Sequence, residues 1–241
     1  MEVLASMSLA TLYDSVDECK LCPLGRTRGT LLPLPGDGLS TRPKIMFIAI
    51  NPSPRNATIQ PAWRGRRLAW IPISGRRSKF WRLLIDSGLL SMNLKLEKAI
   101  YTQALEPAIV ERLVMALNEN RIFLTELVKC PTKGQKDLTS SMLETCSANY
   151  LAKEIELVSP KVICTWGRLP YSTLTGCRMP LRSVMEELGS IKQMSVDDLP
   201  RTLPLFGGLP CYPCYFHNQA PISDAEKVRH LQKLGRALRT H

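Results

Sequence analysis

The chain has 241 residues, 44% of them hydrophobic and 22% charged, which suits one sizeable α/β domain with a buried core. No apolar run reaches the roughly 18 residues that a membrane helix needs, and a start carrying Asp14, Asp17 and Glu18 does not read as a secretory leader. Lys and Arg total 32 against 21 acids, a formal charge of +11 that favours a polyanionic partner.

In chain order, residues 19–43 are rich in Gly, Pro and Thr and read as a loop over the domain. Lys44–Ile50 (KIMFIAI) is a continuous apolar run, the pattern of a buried parallel strand. Residues 51–78 read as a long functional loop. Between Gly38 and Ile85 stand ten basic residues and no acid. A solvated basic face is the plain reading; contact with phosphates is the stronger one, because arginine forks match phosphate oxygens and release condensed counterions. Phe80–Leu90 has helical periodicity and ends near Gly88, and residues 106–119 form a second helical stretch. Ile122–Val128 reads as a strand, Ser140–Leu157 as a helix stopped by Ser159-Pro160, and Lys161–Trp166 as a third strand. Residues 178–208 show no clear period and read as an insertion. Cys211–Phe216 is a short last strand, and Asp224–Arg239 an amphipathic basic helix with acids at its start.

This alternation predicts a single α/β domain over residues 1–241. Its architecture is a three-layer helix–sheet–helix sandwich around a mostly parallel, four-stranded sheet. Sites in such folds lie beyond the carboxyl ends of the strands. The loops at 51, 129 and 217 then meet at one edge, bringing together Asn51, the segment after Glu126, and His217.

The eight cysteines stand at 19, 22, 130, 146, 164, 177, 211 and 214. Without an export signal, metal ligation comes before disulfides. Cys164, inside Val162-Ile163-Cys164, reads as a small buried hydrophobe, and Cys177 has no visible partner.

Four segments in order resemble the uracil-DNA glycosylase superfamily. Asn51-Pro52-Ser53-Pro54 is similar to the first catalytic motif of the mismatch-specific and single-strand-selective branches, with Ala49 and Ser53 in place of glycines. Ser78-Lys79-Phe80-Trp81 with Gly88-Leu89 resembles the helix after the pocket loop. Leu124 to Thr132 resembles the pocket strand. Phe216-His217-Asn218-Gln219-Ala220-Pro221 resembles the second catalytic motif, with its histidine kept and the proline after it lost. Cys19-x2-Cys22, Cys130 and Cys146 resemble the four cysteines of the iron–sulfur branch, which implies a [4Fe–4S] cluster in a structural role. Four thiolates suit zinc as well, and a zinc site built from Cys19, Cys22, Cys211 and Cys214 is the rival arrangement.

The resemblance implies a DNA glycosylase that flips its target nucleotide out of the stack and hydrolyses the base–sugar bond. Asn51 then places the water, and His217 hydrogen-bonds the departing base at O2 as negative charge grows there. Trp70, or alternatively Trp63, stacks on the flipped base. Arg55, Arg64, Arg66, Arg67, Arg76, Arg77 and Lys79 contact the DNA backbone, and Gln219–Ile222 forms a wedge in the vacated stack. Glu126 departs from the iron–sulfur branch, where an asparagine reads uracil. An ionised carboxylate repels uracil O4 and suits a cytosine edge, whereas a protonated one serves either base.

These points lead to an expected substrate: a hydroxymethylated or glucosylated cytosine of phage DNA, with phage defence as the role. The alternatives are a repair enzyme for uracil and other deaminated bases, a non-catalytic iron–sulfur sensor of DNA, and a zinc-stabilised transcription regulator. No lysine nucleophile stands out, so a monofunctional enzyme is expected. The chain is expected to be a cytoplasmic, nucleoid-associated monomer.

Overall fold

A run of apolar residues without polar alternation pairs stably only where both faces are covered. The computed structural model describes residues 7–27, 32–37, 42–54, 68, 79–102, 106–191, 194–215 and 222–239. In it Ile45–Ala49 forms β1, with every residue buried. β1 runs parallel to β2 (Ile122–Glu126) on one side and to β3 (Val162–Trp166) on the other. A two-residue β4 (Leu205–Phe206) lies antiparallel to β5 (Leu209–Cys214), and β5 runs parallel to β3. The strand order is β2-β1-β3-β5-β4.

The sheet therefore has five strands where four were expected. The added one is an arm of a hairpin turned by Gly207 and Gly208, both at positive φ, as a tight two-residue turn requires. It falls in the stretch 178–208, where the sequence showed no period. That stretch also holds two helices, Leu181–Ser190 and Leu199–Thr202.

Among the described residues the α-helices are, in chain order, α1 (Leu9–Asp17), α2 (Pro23–Thr27), α3 (Lys79–Asp86), α4 (Leu94–Thr102), α5 (Pro107–Glu119), α6 (Ser140–Cys146), α7 (Ala152–Val158), α8 (Arg168–Thr175), α9 (Leu181–Ser190), α10 (Leu199–Thr202) and α11 (Asp224–Ala237). Strand side chains alternate faces, so the contacts of neighbouring residues show what covers each side. Phe47 meets Phe80 of α3 and Trp166 of β3 edge-on, with ring centroids 6.1 and 5.3 Å apart. Thr125, of the opposite parity, meets Glu154 of α7. Helices thus cover both faces, as the three-layer expectation required.

Two further expectations are corrected. Ser140–Leu157 is not one regular helix: α6 passes into a π turn at Ser147–Leu151 before α7 resumes. Residues 19–43 are more than a loop, because α2 lies within them and residues 32–37 run along the outer edge of β2. There Asp37 and Leu124 exchange backbone hydrogen bonds of 2.6 and 2.9 Å, and Leu34 N–H reaches Lys129 O at 2.9 Å. This cover protects an edge strand from foreign pairing. It also needs a glycine at 36. A Cβ there would stand 2.5 Å from the Phe123 ring and 2.8 Å from Glu154 Oε1. Among the described residues no helix is long and apolar enough to cross a membrane.

Candidate active site

The pairing of β1 with β2 continues past both strands and holds the following loops together. Leu127 N–H donates to Ala49 O, Val128 N–H to Ile50 O (both 2.8 Å) and Thr132 N–H to Pro52 O (3.3 Å). Asn51 sits between these anchors, half-buried. Its Nδ2 donates to Pro52 O and to Thr132 Oγ1, both at 2.9 Å. The Thr132 hydroxyl in turn donates to Gly134 O at 3.0 Å. Sequence reasoning placed Thr132 in the pocket segment and gave it no role; the only signal was its position two residues after Cys130.

Glu126 is the last residue of β2 and pairs in register with Ala49, so it stands at the same sheet edge as Asn51. It is 5% exposed, and among the described residues its Oε2 has no hydrogen-bond partner. Burial pushes its carboxyl well above the usual range; nearby Lys129 opposes this, while Asp37 and Glu154 reinforce it. In its neutral form a carboxyl has one oxygen that donates and one that accepts.

Just behind Glu126 is a buried polar group that the sequence did not reveal. The Lys129 ammonium pairs with Glu154 Oε2 at 2.6 Å, with side chains 2% and 0% exposed. Thr125 Oγ1 donates to the same oxygen and Tyr13 OH to Oε1, both at 2.7 Å. Removing two charges from water is costly, and these added hydrogen bonds are what make the pair tolerable. The group ties α1, β2 and α7 together. No spacing rule links residues 13, 125, 129 and 154, so only the folded chain brings them into contact.

Cys19, Cys22, Cys130 and Cys146 line one cavity with Val16, Val128 and Tyr150. The π turn begins immediately after Cys146, and both Cys146 and Tyr150 face that cavity. Lys129 N–H points at Cys146 Sγ at 3.4 Å. Burial pushes the Cys146 thiol up to about 12. A bare thiolate is unfavourable in such surroundings, and a bound metal cation reverses that preference. Among the described residues, no three cysteine, histidine or carboxylate side chains are gathered tightly enough for a single metal ion. The rival zinc site is overturned. Cys211 and Cys214 lie in β5, two strands beyond β1, and residues three apart on a strand point to opposite faces. Cys214 instead lies beside Cys164, which is 0% exposed as expected of a small hydrophobe.

Residues 35–232 match the family model for the uracil DNA glycosylase superfamily, well over half of the chain. The chain belongs to the uracil DNA glycosylase superfamily. It is similar to the type-4 uracil-DNA glycosylase of Saccharolobus solfataricus, 25% identical over 185 residues, which cover 77% of this chain and 66% of that protein. It is also similar to the type-4 uracil-DNA glycosylase of Sulfurisphaera tokodaii, 25% identical over 161 residues, 67% of this chain and 55% of that one. The chain thus spans a little under two thirds of the first relative's length and about half of the second's. Cys19 and Cys22 precede the superfamily match, whereas Asn51, Glu126, Cys130 and Cys146 fall inside it.

The other expected site residues divide as follows. Lys79 opens α3, half-exposed, and pairs with Asp224 of α11 at 3.5 Å. Arg55, Trp63, Arg64, Arg66, Arg67, Trp70, Arg76, Arg77, His217 and Gln219 lie outside the described residues. The strand that leads to His217 is described. β5 runs parallel to β3 and β1, so Tyr215 leaves the sheet at the edge where Asn51 and Glu126 stand.

Proposed function

We propose that this chain is a monofunctional DNA N-glycosylase that reads its flipped pyrimidine through Glu126 acting as a neutral carboxylic acid. The observation that carries this reading is the buried, unpartnered Oε2 of Glu126 at the same strand-end edge as Asn51. In the reaction the C1′–N bond breaks with its electron pair leaving on the base, and a water oxygen bonds to C1′. The water gives up one proton, the base gains one, and an abasic site remains. Asn51 orients the water. His217 donates a hydrogen bond to the base O2 as charge builds there. The basic stretch from Arg55 to Lys79 holds the DNA backbone, with Trp70 stacked on the base and Gln219 at the gap in the duplex.

A neutral carboxyl fits two bases. Toward cytosine it accepts from N4–H2 and donates to N3, and the second bond helps a poor leaving group depart. An amide at this position serves uracil without any proton uptake, so the acid gains chemistry only with cytosine. Unmodified cytosine fills every genome, so a cytosine reader must demand a substituent. The substrate we favour is cytosine carrying a C5 hydroxymethyl or glucosylated group, as in the DNA of some phages, with defence against them as the role. The second reading is uracil, for which both relatives are named. There the acid donates to O4 and accepts from N3–H.

Cys19, Cys22, Cys130 and Cys146 hold a [4Fe–4S] cluster in this proposal. When bound, the cluster supplies a structural tie between the N-terminal helices and the end of β2. The protein works inside the cell on DNA. The test offers purified protein duplexes containing uracil, plain cytosine, 5-hydroxymethylcytosine or its glucosylated form, followed by alkaline cleavage at abasic sites. Cleavage of the modified cytosines alone supports the first reading, and cleavage of uracil alone the second. Binding without cleavage of any of them would leave only a sensor of DNA.

A further inference from the structure

The side-chain amide of Asn51 has two ends that treat a water molecule in opposite ways. A water that donates to Oδ1 keeps its oxygen lone pairs free and can turn them toward an electron-poor carbon. A water that accepts from Nδ2 has a lone pair occupied and is a weaker nucleophile. Which end meets the water therefore decides whether Asn51 helps or hinders attack. Both Nδ2 hydrogens are already used, on Pro52 O and on Thr132 Oγ1, each at 2.9 Å. A carbonyl oxygen can only accept, so the contact with Pro52 leaves no choice of amide orientation. The hydroxyl could act either way, but its hydrogen is committed to Gly134 O at 3.0 Å. It is therefore an acceptor toward Asn51. Gly134 is itself held, its N–H donating to Asp137 Oδ2 at 3.1 Å.

From this directed chain we infer that Thr132 is a positioning residue, which locks the Asn51 amide with Oδ1 outward to receive the nucleophilic water. The inference rests on the glycosylase reading and on Asn51 as its water holder. Thr132 does not touch the reacting atoms. It is 7% exposed and bonded to both loops, Pro52 O on one side and Gly134 O on the other. Without its hydroxyl, one Nδ2 hydrogen loses its partner and only the single contact with Pro52 O restrains the amide.

Single-turnover excision on the substrate identified above tests this with Thr132→Val, Thr132→Ser, Asn51→Ala and the double variant Asn51→Ala/Thr132→Val, all compared by thermal melting. Thr132→Val, which keeps the shape and removes the hydroxyl, is expected to slow excision by roughly tenfold to a hundredfold, in line with the cost of a misplaced reacting group. DNA affinity should stay within about twofold of the parent, as expected when only orientation is lost. Thr132→Ser restores the hydroxyl and should restore the rate. In the Asn51→Ala background Thr132→Val should cost nothing more, because no amide remains to be oriented. Parental rates in Thr132→Val, or an equal further loss on top of Asn51→Ala, would overturn the inference. So would a folded Thr132→Ser that stays slow. An Asn51→Ala protein with full activity is a different outcome: it removes Asn51 from the mechanism and takes the premise with it.

Discussion

The chain carries Cys-x2-Cys twice, and the two copies have different fates. Cys19 and Cys22 fall between α1 and α2, where the backbone turns, and both reach the cavity shared with Cys130 and Cys146. Cys211 and Cys214 fall within β5, where the pleat sends them to opposite faces and into the core. Spacing is the same in both; backbone conformation separates a candidate ligand pair from two buried hydrophobes. The contrast extends to the two sides of the sheet. The β2 side holds the buried Lys129–Glu154 pair, the cysteine cavity and Glu126. On the β5 side, the strand itself is cysteine and apolar packing.

The comparison is tested most severely by exchanging cysteines on each side. Cys19→Ser or Cys146→Ser is expected to abolish bound iron and the brown absorbance near about 400 nm that such clusters give, and to destabilise the fold most. Cys214→Ala should leave iron content unchanged and cost about 1 kcal/mol for a small packing loss. Iron lost from Cys214→Ala but kept in Cys19→Ser would reverse the assignment.

Next in size is the buried ion pair. Lys129→Met leaves Glu154 buried and uncompensated, and chemical denaturation should show a loss of about 3–5 kcal/mol. Adding Glu154→Leu should recover part of it. Gly36→Ala is expected to cost about 1–3 kcal/mol, because a methyl group there meets the Phe123 ring and a Glu154 oxygen. An unchanged melting temperature in Gly36→Ala would mean that the 32–37 segment does not hold the β2 edge as described.

The last effect is a slope against pH. The Glu126 carboxyl is raised in the folded state, so the folded chain holds its proton more tightly than the unfolded one. Its contribution is fully present below the ordinary carboxylate range and is lost as pH rises through the raised value. Parental stability should therefore fall over that window by up to about 1.4 kcal/mol per pH unit. Glu126→Gln should flatten that fall. It should also lower excision of a modified cytosine, since an amide presents N–H and C=O groups but holds no labile acid proton for N3. Equal slopes in both proteins would show that Glu126 is ionised.

Much of the frame was legible because burial writes itself into composition. KIMFIAI, IFLTELV and KVICTW are continuous apolar runs, and such runs become inner parallel strands whose ends collect loops at one edge. Asn51 and Glu126 were legible for the same reason, each lying at the end of such a run. The β4 hairpin was not, because two residues beside Gly207-Gly208 carry no period. Nor was the π turn, since one extra residue per turn does not disturb the apolar pattern of Ser140–Leu157.

By itself, then, the sequence determined the layered α/β frame and the edge at which Asn51 and Glu126 stand. Tertiary structure alone decided which Cys-x2-Cys pair is a candidate ligand pair, that Lys129 finds Glu154, and that Thr132 grips the Asn51 amide. The physical reason is range. Strand burial is a local property, repeated residue by residue, whereas each of these decisions depends on one hydrogen bond or one side-chain direction. The groups involved are brought together by segments distant in sequence.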